Sequence, residues 1–121
     1  MNEPVIQALE NERTIDITTQ GKRSGEPSRI EIWFHNVDGR VYITGTPGRR
    51  DWYANLVAHP RFTFHLKDSI VVDLDAIAVP ITDQEERRRI LSEVTPRVGA
   101  SNDLETWLEG APLVAVDFER K

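Results

Sequence analysis

Two runs of alternating polar and apolar residues meet at the dipeptide Asp38-Gly39, and this arrangement constrains the fold more than any other feature of the sequence. The runs cover residues 29–35 and 40–44. An Asp-Gly pair between such runs is typical of a tight β-hairpin, because both residues accept the left-handed backbone angles that the turn requires. The centre of the chain is therefore predicted to contain two adjacent antiparallel strands.

Alternation also assigns the side chains of the first run to two faces, since successive side chains of a strand point in opposite directions. One face carries only apolar residues, namely Ile30, Ile32 and Phe34. The opposite face carries Glu31, Trp33 and His35. The first face is predicted to lie in the core and the second to point outwards.

The remaining segments predict four more strands and four helices. Strand character is found in Thr14–Thr18, Arg61–Lys67, Ser69–Ile81 and Leu113–Phe118. Helical spacing or a helix-start signal is found in Pro4–Asn11, Arg49–Ala58, the segment that begins at the capping box Thr82–Glu85, and Asn102–Gly110. Because hairpins and inserted helices are mixed, we predict an α+β fold in which six antiparallel strands form a small barrel with flanking helices. The 121 residues are predicted to form one domain.

Composition excludes several classes of function. The chain contains no cysteine, so disulfides, thiolate metal sites and a cysteine nucleophile are excluded. The net charge of −5 argues against a nucleic-acid binder, which needs a basic face. No apolar run approaches the ~20 residues of a membrane span, and residues 1–10 lack the pattern of a signal peptide, so a cytoplasmic protein is expected.

A basic, glycine-containing loop is predicted between the first two strands, within Thr18–Arg29. Gly21 and Gly25 allow unusual backbone angles and a close approach of N–H groups to a ligand. The loop and its end supply three cations, Lys22, Arg23 and Arg29. Such a loop is suited to binding a phosphate, although a solvated turn would have the same composition.

A second informative stretch runs from Gly45 to Leu56. Gly45-Thr46-Pro47-Gly48 breaks the preceding strand, and Arg49 and Arg50 follow at the predicted start of a helix. Positive side chains are unfavourable there because that end of the helix dipole is itself positive, so an anion is expected to compensate them. The alternative is a short helix that packs on the core while its arginines are solvated.

Taken together, the two stretches supply cations, backbone donors and the flat side chains of Trp52 and Tyr53. These groups suit a phosphorylated aromatic ring system.

The order and spacing of these segments resemble those of a known family. The matching segments are Gly21–Arg29, Asp38-Gly39, Trp52–Leu56 and His59-Pro60. Together they resemble the flavin- and deazaflavin-dependent oxidoreductases with a split β-barrel fold, which includes the pyridoxamine-phosphate-oxidase-like proteins, and most closely the deazaflavin (F420)-dependent nitroreductase family. The resemblance covers residues 15–66, roughly half of the chain.

The resemblance implies a site for coenzyme F420, or for FMN, in a groove beside the barrel. It assigns the phosphate and acidic tail of the cofactor to Lys22, Arg23 and Arg29. It assigns the ring edge to the backbone of Gly45, Thr46 and Pro47, and the ring or ribityl pocket to Trp52 and Asn55. The candidate set of cofactor-binding residues is completed by Gly48, Arg49, Arg50 and Tyr53.

Reduced F420 would transfer a hydride to an electron-poor small molecule such as a quinone, an enone or a nitro compound. No side chain is predicted to be an obligatory catalyst, and Tyr53 is the candidate proton donor. Two alternatives stay open, an FMN-dependent oxidoreductase of the same fold and a non-catalytic module that binds a cofactor, haem or a lipid. Exposed strand edges and Trp33 on the outer face favour a homodimer.

The histidines and the paired aspartates do not predict a metal or haem site. The spacing of His35, His59 and His65 matches no metal motif. Asp73 and Asp75 share a strand face but bring no further oxygen ligands with them. No metal site is predicted.

Overall fold

A computed structural model describes residues 1–119. Its six strands are β1 (Thr14–Gln20), β2 (Pro27–Val37), β3 (Arg40–Thr44), β4 (Arg61–Leu66), β5 (Val72–Pro80) and β6 (Leu113–Phe118). Its four α-helices are α1 (Glu3–Asn11), α2 (Asp51–Ala58), α3 (Gln84–Arg97) and α4 (Leu104–Gly110). A single 3-10 turn at Ser101–Asp103 precedes α4.

The strands form one closed antiparallel barrel in the order β1-β2-β3-β6-β5-β4. The β2–β3 hairpin turns at Asp38 and Gly39, whose φ angles of 53° and 86° are both positive as the sequence predicted. Pairing of β1 with β4 closes the ring, and Ile17 lies opposite Phe64 in that pairing. The predicted α+β barrel is therefore confirmed. The prediction of exposed strand edges, which favoured a homodimer, is wrong because these six strands leave no edge unpaired.

Apolar residues on the inner faces of the strands fill the barrel. Phe64 lies at its centre and makes edge-to-face contacts with Phe34 and Phe118, at centroid distances of 5.4 and 5.1 Å. Ile15 and Ile17 of β1 are fully buried beside them. The inner face is thus the one that alternation predicted for β2, on which Phe34 is 2% exposed.

A second apolar cluster lies outside the barrel, between β3, β6 and the helices α3 and α4. It contains Tyr42 and Leu113 from the strands and Ile90, Leu91 and Trp107 from the helices. Helices α3 and α4 therefore cover one side of the barrel. On the outer side of β1, β2 and β4, polar side chains remain at the surface and Trp33 is 45% exposed.

The start of α3 differs from the predicted capping box. The N-cap residue is Asp83, whose side chain accepts a hydrogen bond from the backbone N–H of Glu86 at 3.0 Å. The sequence predicted Thr82 in this role, one residue too early. An aspartate carboxylate is an equally good cap, and it also carries a charge that favours the helix dipole.

Among the described residues, no helix combines the length and the apolar character that crossing a membrane requires.

Candidate functional site

Helix α2 holds the basic loop between β1 and β2 in place through one side chain. Asn55 Oδ1 accepts a hydrogen bond from the backbone N–H of Lys22 at 2.9 Å. Asn55 Nδ2 donates to Thr19 Oγ1 at 3.1 Å. The asparagine of the Trp-Tyr-Ala-Asn-Leu segment therefore bridges the end of β1 and the loop that follows it.

The two glycines of this loop suit their positions for different structural reasons. Gly25 has a φ of 72°, so it takes the left-handed backbone angle that was expected for it. Gly21 is not among the residues with positive φ. A Cβ atom there would lie 3.3 Å from the backbone oxygen of Glu26 and would require Ser24 Oγ to move, so the loop is tight at this position. The expectation of an unusual backbone angle at Gly21 is thus wrong. The N–H group of Gly21 donates to the oxygen of Glu26, and its C=O group accepts from the N–H of Gly25, so both groups are paired within the loop.

The basic loop forms one wall of a large cleft, which we call the basic cleft. Its volume is about 1090 Å³. Six of the predicted site residues line it, Lys22, Arg23, Gly48, Arg49, Arg50 and Tyr53. Acidic side chains at its border are Asp51 and Glu109. The cations outnumber the carboxylates, so the cleft favours an anionic ligand.

Arg87 is a further cation of the basic cleft, and it was not predicted as a site residue. It is 7% exposed, and its guanidinium donates to the backbone oxygens of Ile81, Trp107, Leu108 and Ala111 at 2.8–3.2 Å. Burial lowers the pKa of Arg87, and Tyr53 opposes that shift. A charge-carrying side chain thus joins the end of α4 to the end of β5 at the floor of the cleft.

A sequence signal for Arg87 does exist. It lies three and four residues before Ile90 and Leu91, which are both fully buried, so it belongs to the apolar stripe of α3. Its neighbours Arg88 and Arg89 point away from that stripe and are exposed. Because the three arginines are consecutive, the buried one was not distinguished from the other two in the sequence.

The segment 45–50, which we call the divider, separates the basic cleft from a second cavity. Its Gly48 N–H donates to the oxygen of Gly110 at 3.1 Å, which ties it to α4. Arg50 donates to Thr46 Oγ1 across the segment. Arg50 is also the N-cap residue of α2. Its side chain makes no capping hydrogen bond, so the first backbone N–H groups of the helix have no side-chain acceptor from the N-cap.

The second cavity lies on the other side of the divider, and we call it the aromatic cavity. Its volume is about 450 Å³. The predicted residues Gly45 and Thr46 line it. Its other walls include Trp33, His35, Asp103 and Trp107. Arg13 lies 4.8 Å from the centroid of Trp33 and thereby covers that indole.

His35 is the buried polar side chain of the aromatic cavity. It is 4% exposed. Burial, together with the positive charges of Arg97 and Arg13, lowers the pKa of His35 to about 4. The imidazole is therefore neutral near pH 7 and offers one N–H donor and one nitrogen acceptor.

Four predicted site residues line neither cavity, namely Asn55, whose contacts are given above, and Arg29, Trp52 and Pro47. Arg29 is on the outer face of β2, where its Nε donates to Asp16 Oδ2 at 2.9 Å. Trp52 is 7% exposed in the barrel core, beneath the divider, and packs edge-to-face on Tyr53. Pro47 also belongs to the divider and packs against the end of α4. A Cβ atom added to Gly110 would lie 3.4 Å from the Cβ atom of Pro47.

The ion pair of Arg29 belongs to a surface network that also contains Lys67 and Glu31. Lys67 Nζ donates to Asp16 Oδ1 at 2.6 Å and also to Glu31. Lys67 and then Arg29 lower the pKa of Asp16 through these hydrogen bonds. Arg29 is thus already engaged with a carboxylate at a distance from the basic cleft.

The other histidines do not form a metal site. Within residues 1–119 there is no group of three or more His, Asp or Glu side chains placed to hold a metal ion. His65 uses both ring nitrogens inside the protein, since Nε2 pairs with Thr18 Oγ1 and Nδ1 with Asp73 Oδ1, each at 2.7 Å.

The closed six-stranded barrel with flanking helices places the chain in the split β-barrel class. The sequence model of the F420H(2)-dependent quinone reductases matches residues 2–116, and the chain belongs to that family.

Solved structures with the same fold come from several bacteria. A conserved hypothetical protein of Mycobacterium tuberculosis is 19% identical with a TM-score of 0.78, over 99% of this chain and 82% of that one. A putative pyridoxamine 5'-phosphate oxidase of Listeria innocua is 10% identical with a TM-score of 0.73, over 97% and 92%. The haem storage protein HutZ of Vibrio cholerae is 19% identical with a TM-score of 0.73, over 98% and 91%. At these identities the likeness shows the fold alone.

Proposed function

We propose that this chain is a reductase that transfers a hydride from reduced coenzyme F420 to a quinone. The observation that carries the proposal is the match of residues 2–116 to the F420H(2)-dependent quinone reductases. It is supported by the arrangement of two cavities, one basic and one aromatic, on opposite sides of the divider. The basic cleft suits an anionic cofactor, and the aromatic cavity suits a flat organic acceptor.

The residues of the basic cleft fit the charge of the cofactor. F420 carries a phosphate and an acidic tail, and the cleft offers the side chains of Lys22, Arg23, Arg49 and Arg50. The uncapped start of α2 adds backbone N–H groups that favour an anion at the same place. Arg29 does not line the cleft, so we assign the anionic tail to the four cations that do.

The bound cofactor supplies a two-electron hydride, and the protein has to bind, orient and shield the two reactants. The backbone of Gly45, Thr46 and Pro47 forms the boundary between the cavities and is proposed to contact the ring edge. Trp52 supports that backbone from below, where a Cβ atom on Gly45 would lie 3.9 Å from its Cζ2 atom. Tyr53 lines the basic cleft and stays the candidate proton donor.

The aromatic cavity is proposed to take the acceptor. Its volume of about 450 Å³ suits a small ring system. Trp33 and Trp107 give it apolar walls, which is the surface that a quinone prefers.

Titration of the purified protein with oxidised F420, and in parallel with FMN, tests the cofactor assignment by the change in cofactor fluorescence. We expect saturable binding of F420 that is weakened in the double variant Lys22→Ala/Arg23→Ala. Arg88→Ala is the matched control, because Arg88 is an exposed cation that pairs with Glu105 away from the cleft. Binding of FMN alone would instead support the FMN-dependent alternative.

Turnover separates an enzyme from a binding module. We expect the absorbance of reduced F420 to fall when 2-methyl-1,4-naphthoquinone is added to the protein, and the initial rate to follow the protein concentration. Tight F420 binding without turnover of quinone, enone or nitro acceptors would contradict the reductase proposal and favour a protein that carries the cofactor.

A further inference from the structure

His35 differs from the other buried histidine of the chain in having no hydrogen-bond partner. Among residues 1–119, neither of its ring nitrogens pairs with a protein group. Both nitrogens keep some accessible surface, since Glu12 Oε1 is the one fully buried side-chain polar atom without a partner in this part of the chain. His65 is buried to a similar degree, at 5% exposed, and both of its nitrogens are paired. The ring nitrogens of His35 are therefore available to a ligand, whereas those of His65 are not.

The position of His35 determines what kind of ligand can reach its ring nitrogens. His35 lies on the outer face of β2 and lines the aromatic cavity together with Trp33 and Trp107. The surrounding walls are apolar apart from Asp103 and the threonine hydroxyls of β3 and the divider. Thr44 Oγ1 is already used, because it donates to the oxygen of Pro112.

The charges around His35 favour a ligand atom that becomes negative. Arg13 and Arg97 are the cations that act on the imidazole, and Asp103 is the one carboxylate among the residues that line the cavity. Arg97 is held by a hydrogen bond from Nη1 to the oxygen of Asn36 at 2.8 Å. A carbonyl oxygen that gains negative charge during reduction would be stabilised by an N–H donor in such surroundings.

We propose that His35 binds a carbonyl oxygen of the electron acceptor in the aromatic cavity, by donating a hydrogen bond from its ring N–H. This inference rests on the proposed function, because it assumes that the acceptor is a quinone. The quinone takes up a hydride and a proton, which together reduce it to the hydroquinone, while reduced F420 loses the same two electrons and two protons. His35 binds the oxygen during this exchange and is itself unchanged, so it determines which acceptors are bound.

A binding experiment without F420 tests the inference directly. The protein is labelled with nitrogen-15 in its histidine rings and titrated with 2-methyl-1,4-naphthoquinone, and long-range spectra follow the imidazole nitrogens. We expect the signals of His35 to shift and saturate while those of His59 and His65 stay in place. Shifts of all three histidines, or of none although the quinone binds, would overturn the proposal.

Variants at position 35 add a kinetic test with its own stability control. We expect His35→Leu to lower kcat/KM for the quinone by about three- to tenfold, the value of one hydrogen bond, without lowering the melting temperature. His35→Gln keeps an N–H donor and is expected to recover part of the loss.

Two outcomes separate this inference from the proposed function. If wild-type protein reduces the quinone and His35→Leu does so with the same kcat/KM, the role of His35 is overturned and the proposed function stands. If wild-type protein turns over no quinone with reduced F420 but the His35 signals still saturate with the naphthoquinone, the proposed function fails and the binding role of His35 stands.

Discussion

Asn55 Oδ1 accepts a hydrogen bond from the backbone N–H of Lys22 at 2.9 Å, and this contact connects α2 to the loop between β1 and β2. The two residues are 33 positions apart in the sequence. The loop contributes Lys22 and Arg23 to the basic cleft, and α2 contributes Tyr53, so a single asparagine holds two walls of the cleft together.

Replacing Asn55 by alanine removes the acceptor for Lys22 and the donor for Thr19. We expect the free energy of unfolding to fall by about 1–2 kcal/mol, because one exposed and one part-buried hydrogen bond are lost. F420 affinity should fall as well, since the loop is no longer held. Urea unfolding and F420 titration measure the two effects. Asn55→Asp is the control that keeps the acceptor for Lys22, so it should bind F420 more tightly than Asn55→Ala does.

Cations in the basic cleft and cations outside it are expected to have different effects on the cofactor. Removal of Lys22 and Arg23 together should raise the Kd for F420 by about ten- to a hundredfold and reduce its dependence on salt, because charge-assisted hydrogen bonds are lost. Removal of Arg29 should change the Kd by less than about twofold, since it pairs with Asp16 at the surface. Equal effects of the two changes would show that Arg29 does reach the cofactor.

Arg87 is expected to matter for stability far more than its neighbour in the sequence. Arg87→Met removes the guanidinium donor from three backbone oxygens at the end of α4 and from that of Ile81 after β5, and we expect a loss of about 3 kcal/mol in the free energy of unfolding. Arg88→Met breaks an exposed ion pair with Glu105 and should cost less than about 1 kcal/mol. Urea unfolding of both variants at the same pH makes the comparison. A similar loss in both would mean that the carbonyl contacts contribute little.

The lowered pKa of His35 predicts a dependence of stability on pH. The ring titrates at about 4 in the folded protein and near 6.5 when unfolded, so the unfolded state binds more protons between these values. Stability should therefore fall as the pH decreases through this range, by about 2 kcal/mol between pH 7 and pH 5. Arg13 and Arg97 oppose protonation in the folded state, and Asp103 is the acidic group of the same cavity.

His35→Leu removes this titrating group. Its urea midpoint is expected to change less between pH 7 and pH 5 than the midpoint of the wild-type protein does. If both proteins lose the same stability over that range, the acid sensitivity belongs to other groups.

The strands and the hairpin could be predicted because they depend on local patterns. Alternation placed Ile30, Ile32 and Phe34 inwards, and Asp38-Gly39 specified the turn between β2 and β3. The pairing of β1 with β4 could not be predicted, since it depends on how the ring closes and not on a neighbouring turn. The resemblance assigned the barrel correctly because it depends on the order and spacing of several segments within residues 15–66, and not on one local turn.

The site was predicted less completely than the fold. The basic loop and the start of α2 were predicted to lie together, and the structure does place Lys22 and Arg50 in the same cleft. Arg87 and Trp107 were missed as site residues because they face the site only once α3 and α4 are packed on the barrel. Arg29 was grouped with the loop by sequence proximity, whereas strand alternation directs its side chain to the outer face.

Closure of the barrel also determines how this protein can meet other copies of itself. The backbone N–H and C=O groups along the six described strands are shared around the ring, so an incoming chain cannot extend the sheet by adding a strand. Growth of fibres through strand addition is thereby blocked in the folded state. Self-recognition would depend on side chains instead, and the charged outer face of Asp16, Glu31 and Lys67 would make it responsive to ionic strength.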